Sequence, residues 1–296
     1  MVRGNDKALL NQVVVNEDIC KTITTEIANN TNSLIPQPIM IVGQEGSGKT
    51  TLLRTLSRAD ICKDRRKIWI DGRSIFSSED IISKSLEENA SIIFIDDMDF
   101  YLTRCNYEEQ FRLRRFLYNE GAPMLIGTVS KIVPAMTEYK APFFEGLKNI
   151  FIPPVDIESL DIIFSKEDNS RAQALYRLLP PTIKSVETVY RIMLLSNNPQ
   201  NDVKWLIDIF SVKFLNSYRN LPANSQHILN AFGSEIAEMT IPELRQATGL
   251  PTNILTAYLK NLLSQGIIKA DKTIKRNTRY SMKDPLFQKW LSKSEM

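Results

Sequence analysis

Eight consecutive residues near the N-terminal end of the chain match the pattern G-x-x-x-x-G-K-[ST], from Gly43 to Thr50. Glycine adopts backbone angles that other residues resist, so successive N–H groups can turn inward and surround an anion. The Lys49 ammonium is expected to reach the β- and γ-phosphates of a nucleotide, and the Thr50 hydroxyl to ligate Mg²⁺. The predicted phosphate-binding residues of this P-loop are Gly43, Gln44, Glu45, Gly46, Ser47, Gly48, Lys49, Thr50 and Thr51.

A second group of acidic residues follows the apolar run Ile92–Ile95. Four consecutive apolar residues predict a fully buried central strand, and Asp96 and Asp97 would stand at its C-terminal end, a Walker B pattern. Asp96 is predicted to hold the Mg²⁺ shell, mostly through water, because Mg²⁺ releases its waters reluctantly. Asp97 is predicted to polarise the attacking water, with Asp99 as the alternative.

The elements around these motifs predict how the motifs are positioned. Apolar strands are predicted at 38–42, 68–71, 124–128 and 149–152, and helices follow the P-loop and the Walker B strand. Alternating strands and helices indicate a parallel sheet that is covered on both faces. Thr128, at the end of the predicted strand 124–128, is the first choice for orienting water near the γ-phosphate, and Ser130 is the second.

Composition and charge bound the class of protein. The 296 residues leave room for two or three domains, and 43% hydrophobic and 24% charged residues are typical of a globular protein. No apolar run approaches the ~20 residues of a membrane span, and the N-terminus lacks a signal-peptide core, so a cytoplasmic location is expected. One histidine, His227, and three scattered cysteines disfavour zinc sites, disulfides and histidine-based acyl transfer.

The C-terminal part of the chain predicts a DNA-binding module. A capping box at Thr240 and Glu243, a turn at Gly249, a helix over 251–265 and strands at 266–269 and 279–282 resemble a winged helix. The last 80 residues carry eleven Lys and Arg against six Asp and Glu, which favours nucleic acid. Residues expected in the major groove are Thr252, Asn253, Thr256 and Lys260, and those expected at phosphate are Lys272, Lys275, Arg276 and Arg279.

The order of P-loop, Walker B strand and polar strand end resembles the AAA+ and STAND branch of P-loop ATPases. In that branch an extra strand lies between the two Walker strands. The resemblance implies ATP as the nucleotide, with Mg²⁺, and a helical lid over 155–200 whose sensor 2 arginine contacts the γ-phosphate. Arg191 is the first candidate for that role and Arg177 the second. The pairing of a P-loop core with a C-terminal winged helix resembles archaeal-type and origin-recognition ATPases.

These observations predict an α/β chain with a parallel-sheet P-loop core and N-terminal helical lead-in at 1–154, a lid at 155–200, and a linker helix with winged helix at 201–296. The expected function is an ATP-driven switch that acts on double-stranded DNA in replication initiation, transposition or defence. Two alternatives remain: a low-turnover regulatory subunit that docks a protein partner, and a defence ATPase that self-assembles on a trigger.

Overall fold

The computed structural model describes residues 17–31, 33–196, 198–233, 238–271 and 278–293. The chain divides into two compact units. Residues up to Ile163, with Pro181–Glu187, form the first unit, and Phe164–Pro180 with the residues from Thr188 onward form the second.

The first unit is built on a five-stranded parallel sheet in the order β2-β3-β4-β1-β5. The strand β4 lies between the P-loop strand β1 and the Walker B strand β3, as the resemblance to AAA+ ATPases implied. The strands are β1 (Ile39–Val42), β2 (Lys67–Asp71), β3 (Ile92–Asp96), β4 (Met124–Val129) and β5 (Lys148–Phe151). Because all five strands run in the same direction, their C-terminal ends meet at one edge of the sheet, where both motifs begin.

Helices cover both faces of this sheet, which confirms the predicted layering. The helices of this unit are α1 (Glu17–Thr31), α2 (Lys49–Arg58), α3 (Glu79–Glu87), α4 (Asp99–Arg104), α5 (Tyr107–Leu117) and α6 (Pro134–Thr137). On one face, alternate strand residues such as Ile41 and Phe94 pack with Ile23 of α1 and Leu53 of α2. On the other face, Ile95 and its neighbours pack with residues of α4 and α5, including Tyr101, Leu102, Leu113 and Leu117. The central strands β1, β3 and β4 bury both of their faces, and their residues therefore read as apolar runs.

The second unit is helical with one small sheet. Its helices are α7 (Lys166–Tyr176), the later part of α8 (Ile183–Leu195), α9 (Asp202–Arg219), α10 (Ala223–Phe232), α11 (Ile241–Thr248), α12 (Thr252–Ser264) and α13 (Pro285–Lys293). The antiparallel sheet has the order β6-β8-β7, from β6 (Glu238–Met239), β7 (Ile268–Asp271) and β8 (Arg279–Met282). Three helices followed by a two-stranded hairpin are typical of a winged helix.

Local sequence explains several boundaries in this unit. The predicted capping box is present, since the Thr240 side chain accepts from the Glu243 N–H and the Glu243 carboxylate accepts from the Thr240 N–H. Gly249 ends α11 in the left-handed conformation that glycine tolerates. The linker helix α9 is fixed against α13 by the rings of Phe214 and Phe287, whose centroids lie 5.0 Å apart.

Two boundary predictions need correction. The segment predicted to be helical over 155–200 begins with a 3-10 helix over Ile157–Ile162, which follows an extended segment that contains two prolines. The first wing strand was predicted at 266–269 and is found at Ile268–Asp271, because Gly266 adopts a left-handed turn conformation. The predicted wing residues Lys272, Lys275 and Arg276 lie outside the described residues.

Candidate nucleotide-binding site

The P-loop connects β1 to α2 and bends through two left-handed glycines. Gly46 has φ of 82° and Gly48 has φ of 89°, and Gly48 is the N-cap of α2. The Gly43 N–H donates to the Val129 carbonyl at 3.1 Å, which ties the start of the loop to the end of β4. The Gly48 side of the loop therefore presents the N-terminal end of a ten-residue helix, where the helix dipole favours an anion.

Lys49 is the central charge of this loop. Its side chain is 7% exposed, and Nζ donates to the carbonyls of Gly43 at 2.7 Å and Gln44 at 3.2 Å. Burial lowers the pKa of Lys49 below its ordinary value, and the charges of Asp97, Asp99 and Asp96 act in the opposite direction. An ammonium beside three carboxylates and two carbonyls has strong partners already, and a polyphosphate can replace the carbonyls.

A buried hydroxyl inside the loop gives a direct test of fit. Ser47 Oγ is buried and makes no hydrogen bond to any of the described residues. A Cβ on Gly43 would lie 2.5 Å from that oxygen, so only glycine leaves the space open. An unsatisfied buried hydroxyl beside a glycine cradle and a lysine fits a phosphate ligand, since burying a polar group without a partner is costly.

The Walker B carboxylates are linked to each other through Thr128. The Thr128 hydroxyl donates to Asp96 Oδ1 at 2.7 Å and accepts from the Asp97 N–H at 2.8 Å. Thr128 is fully buried, and its hydroxyl is occupied by these two partners. The predicted role of Thr128 as a water-orienting residue stays a prediction. Its contacts make it a group that positions both carboxylates.

The second choice, Ser130, lies one residue beyond β4 and contacts a different carboxylate. Its N–H donates to Asp99 Oδ2 at 3.2 Å, and its hydroxyl also donates to that oxygen. The other oxygen, Asp99 Oδ1, is buried and makes no hydrogen bond within the described ranges. Ser130 and Asp99 thus form a polar pair next to the Lys49 charge.

Asp97 sits on a constrained backbone and has a cationic partner that the sequence motifs did not indicate. Its φ is 54°, and its Oδ2 accepts from Arg73 Nη2 at 2.5 Å. This hydrogen bond raises the pKa of Arg73, whose side chain is exposed. A Cβ on Gly72 would lie 2.2 Å from the Asp97 carbonyl oxygen, so Gly72 is required for the close approach. The register of β2 and β3 could have indicated Arg73. Asp71 of β2 pairs with Asp96 of β3, so the residues that follow these two strands lie near each other.

Lys184 is a second residue that the sequence motifs did not indicate. Its N–H donates to the Gly46 carbonyl at 3.1 Å, and a Cβ on Gly46 would lie 2.8 Å from the Lys184 Cβ. Pro181–Glu187 belongs to the first unit, so the start of α8 borders the P-loop within that unit. Arg191 and Arg177 belong to the second unit, where both side chains are exposed. Their sensor 2 role stays a prediction, and the residue beside the loop is Lys184.

Magnesium would be held by few protein atoms. Thr50 is the second residue of α2, and Asp96 ends β3. Over the part of the chain that the structure describes, no group of three or more His, Cys, Asp or Glu could hold a metal ion. A hydroxyl and a carboxylate are the hard oxygen ligands that Mg²⁺ prefers, and Mg²⁺ commonly keeps several waters, so this donor set fits the ion.

The predicted DNA-contacting residues of α12 share one surface. Thr252, Asn253, Thr256 and Lys260 are all exposed, while Leu255, Leu259 and Leu262 are buried. A cleft of about 430 Å³ lies between α11 and the start of α12, lined by Ile241, Pro242, Arg245, Gln246 and Thr252. Arg279 of β8 stands opposite Asp271, and its charge, after the hydrogen bonds from Thr240, helps to lower the pKa of Glu243. Arg245, absent from the predicted set, lines the cleft.

A membrane-spanning helix must be both long and apolar. Within the described ranges, no helix combines the length and the apolar character that crossing a bilayer requires.

Comparisons with known proteins identify a fold. No protein-family model matches the chain, and no curated protein matches it by sequence. Among solved structures, the Aeropyrum pernix Orc1 protein in complex with DNA is similar over 94% of this chain and 92% of that one, with a TM-score of 0.54 and 14% identity.

Two further solved structures are similar at a lower level. A single-residue variant of RuvB from Thermotoga maritima is similar over 93% of this chain and 94% of its own, with a TM-score of 0.48 and 15% identity. AMPPCP-bound DnaA from Aquifex aeolicus is similar over 83% of this chain and 87% of its own, with a TM-score of 0.46 and 13% identity. The likeness to the Orc1 protein and the strand order confirm the AAA+ fold, a parallel-sheet P-loop core with surrounding helices.

Proposed function

We propose that this chain is an ATPase that binds ATP with Mg²⁺ between its P-loop and Walker B strand and that acts on double-stranded DNA through its C-terminal module. The observation that carries the proposal is the buried Lys49 ammonium, which faces three carboxylates in a glycine cradle with an unsatisfied Ser47 hydroxyl. The Orc1 protein, whose fold this chain shares, is in complex with DNA.

Binding begins with an exchange of partners at Lys49. Its Nζ leaves the carbonyls of Gly43 and Gln44 for the β- and γ-phosphates, while N–H groups of the loop and the end of α2 surround the same oxygens. The Ser47 hydroxyl gains the hydrogen bond that it lacks. Mg²⁺, held through Thr50 and Asp96, supplies charge neutralisation of the β- and γ-phosphates when bound.

Hydrolysis uses Asp97 as the base for the attacking water. The hydrogen bonds of Thr128 to Asp96 and to the Asp97 N–H fix both carboxylates at the end of β3. The ion pair with Arg73 at Oδ2 makes Asp97 a weaker base for the proton of the water, so Asp97 becomes more effective when Arg73 leaves that oxygen. Ser130 and Asp99, beside Lys49, form the polar pair near the γ-phosphate. Lys184 lies beside Gly46 at the start of α8, and its ammonium would interact with the phosphates.

The second unit supplies the DNA-binding surface of the proposal. α12 would enter the major groove with Thr252, Asn253, Thr256 and Lys260, and Arg245 would meet backbone phosphate. Lys272, Lys275 and Arg276 extend this basic set in the sequence. The proposed protein is a soluble switch that works in the cytoplasm.

One observation favours the low-turnover alternative, a regulatory subunit that binds ATP and hydrolyses it little. Asp97 is engaged by Arg73 in the structure, so the base is neutralised before any nucleotide arrives. In this alternative the C-terminal module docks a protein partner or controls self-assembly instead of reading DNA. A turnover that stays low in the presence of duplex would support it.

The test is fluorescence anisotropy of a labelled duplex titrated in ATP, in ADP and without nucleotide, at several salt concentrations. Tighter binding in ATP is expected, and it should be lost in Lys49→Ala, which cannot hold the phosphates. Arg245→Ala should lower the salt slope of log K by about 1, whereas Lys289→Ala, an exposed lysine on α13, should leave it unchanged. Retained ATP affinity in Lys49→Ala would overturn the nucleotide site, and absent duplex binding in every state would overturn the DNA role.

A further inference from the structure

The linker helix α9 carries apolar side chains on two faces, and one of these faces lies in solvent. On the inner face, Phe214 and Tyr218 are buried and their rings contact rings of α13. On the outer face, Trp205 is 46% exposed, Ile209 is 52% exposed and Val212 is 68% exposed. Three large apolar side chains in a row on one helix face indicate an interaction surface, because single exposed apolar residues are usually scattered.

The spacing of these residues is that of a helix that pairs with another helix. Trp205, Ile209, Val212 and Asn216 follow one another at intervals of four, three and four residues, and Asn216 is also exposed. This spacing places them at the d, a, d and a positions of a heptad. We refer to these four residues as the outer stripe. It extends along α9 for about 17 Å and ends before Arg219, which occupies the next d position.

Two charged residues on opposite flanks of the outer stripe identify the partner. Asp208 is at a g position and Lys213 is at the e position that follows, and both are exposed. Within the described ranges, Asp208 makes no ion pair. In a parallel pair of helices, a g residue lies opposite the e residue five positions later on the other helix. Asp208 of each copy would therefore lie opposite Lys213 of the other, whereas an antiparallel pair sets each flank against the same flank.

We propose that α9 pairs in parallel with α9 of a second copy of this chain, about a two-fold axis, through the outer stripe. A two-fold contact uses the same surface on both copies, and the two ion pairs are then equivalent. A β-branched residue and an asparagine at a positions, here Ile209 and Asn216, favour two strands in a fixed register. Because α9 is already ordered by its contacts with α13, pairing costs less entropy than the association of two free helices.

The short stripe implies a weak and reversible dimer. A contact of this length lies at the small end of protein interfaces, so we expect dissociation in the micromolar range. All of α9 belongs to the second unit, and the P-loop belongs to the first. The pairing therefore requires no nucleotide, and the proposal does not rest on the proposed ATPase function.

The experiment is sedimentation equilibrium of the full chain at micromolar concentrations without nucleotide. The unaltered protein should show a concentration-dependent equilibrium between monomer and dimer. Ile209→Asp should weaken the dimer at least about tenfold, because it buries a carboxylate in the seam without a partner. Circular dichroism checks that this variant keeps its fold, as expected for a side chain that is half exposed in the monomer.

Charge reversal tests the parallel arrangement. Asp208→Lys alone, or Lys213→Asp alone, places like charges opposite each other and should weaken the dimer a few-fold. The double variant restores opposite charges and should return to within about twofold of the unaltered protein. Lys204→Asp reverses an exposed charge on the same helix outside the a, d, e and g positions, so it is the matched control and should leave dimerisation unchanged.

The outcomes separate this proposal from the proposed function. A monomer at every concentration would overturn the pairing, as would a dimer that persists in Ile209→Asp or a double variant that is no tighter than the single ones. Lys49→Ala should dimerise like the unaltered protein, and loss of the dimer in this variant would move the contact to the nucleotide site. Absence of ATP binding would refute the ATPase proposal and leave the dimerisation result standing.

Discussion

Replacing Gly46 by alanine tests whether the P-loop needs both its left-handed backbone and its close contact with α8. Alanine at φ of 82° costs about 1–2 kcal/mol, because the Cβ approaches the following carbonyl. The new Cβ would also lie 2.8 Å from the Lys184 Cβ and 3.2 Å from Thr182 Oγ1. Overpacking of this kind costs about 1–3 kcal/mol. The expected loss of stability is therefore about 2–5 kcal/mol.

Gly121 offers a matched control for the backbone part alone. Its φ is 72°, and a Cβ there would meet nothing within 4 Å. Gly121→Ala should lose only about 1–2 kcal/mol, so the difference between the two variants measures the contact with Lys184 and Thr182. Urea denaturation followed by circular dichroism measures both changes in the free energy of unfolding.

ATP affinity gives the second readout of the same variants. A loop displaced to relieve the contact no longer aims its N–H groups at phosphate, so Gly46→Ala should bind a fluorescent ATP analogue at least about tenfold more weakly. Gly121→Ala should bind it like the unaltered protein. If both variants lose the same stability and Gly46→Ala keeps its ATP affinity, the reasoning about the loop and α8 is refuted.

Three further changes test other contacts. Arg73→Ala should raise basal ATP turnover a few-fold at unchanged ATP affinity, because it frees Asp97; unchanged steady-state turnover would show that the ion pair does not restrain the base. Thr128→Val should cost about 1–3 kcal/mol of unfolding free energy and lower turnover more than ATP affinity, since two buried hydrogen bonds are lost; normal turnover would contradict the positioning role. Asp202→Asn should cost about 3 kcal/mol near neutral pH, because the buried carboxylate pairs with Arg171 at 2.6 Å. Burial alone would raise the pKa of Asp202, but the hydrogen bonds and charge of Arg171 lower it below 3.8, so this stability is present above about pH 4 and lost as pH falls through the lowered pKa. Unfolding measured from about pH 7 to about pH 2 should show the two proteins converging, and a constant difference would refute the assignment.

Much of the fold could be predicted from the sequence because buried parallel strands and glycine loops leave strong local signals. The runs at Ile39–Val42 and Ile92–Asp96 occur as predicted, and the placement of β4 between β1 and β3 followed from the resemblance. The capping box at Thr240 and the strand Arg279–Met282 were also confirmed, since both depend on neighbouring residues in the sequence. Short elements such as β6 have too few residues to show a pattern.

The site was predicted less completely because its remaining contacts join distant residues. Arg73 reaches Asp97 across 24 positions, and Lys184 reaches Gly46 across a much longer interval. Thr128 was expected to orient water near the γ-phosphate, and the sequence did not indicate that its hydroxyl links Asp96 to the Asp97 N–H. Sequence patterns identify which residues can do chemistry, whereas the direction of a side chain is decided by register and packing between strands.

The backbone at Asp97 also limits which amino acids evolution or an engineer can place there. A φ of 54° is tolerated by glycine, asparagine and aspartate much better than by longer side chains. Of these three, only aspartate carries a carboxylate. A saturation library at this position should therefore return aspartate as the preferred hydrolysing variant, and every substitution must keep the close approach of Gly72 to the carbonyl of residue 97. Under the proposed function, the backbone conformation at residue 97 thus favours the shorter of the two carboxylate side chains.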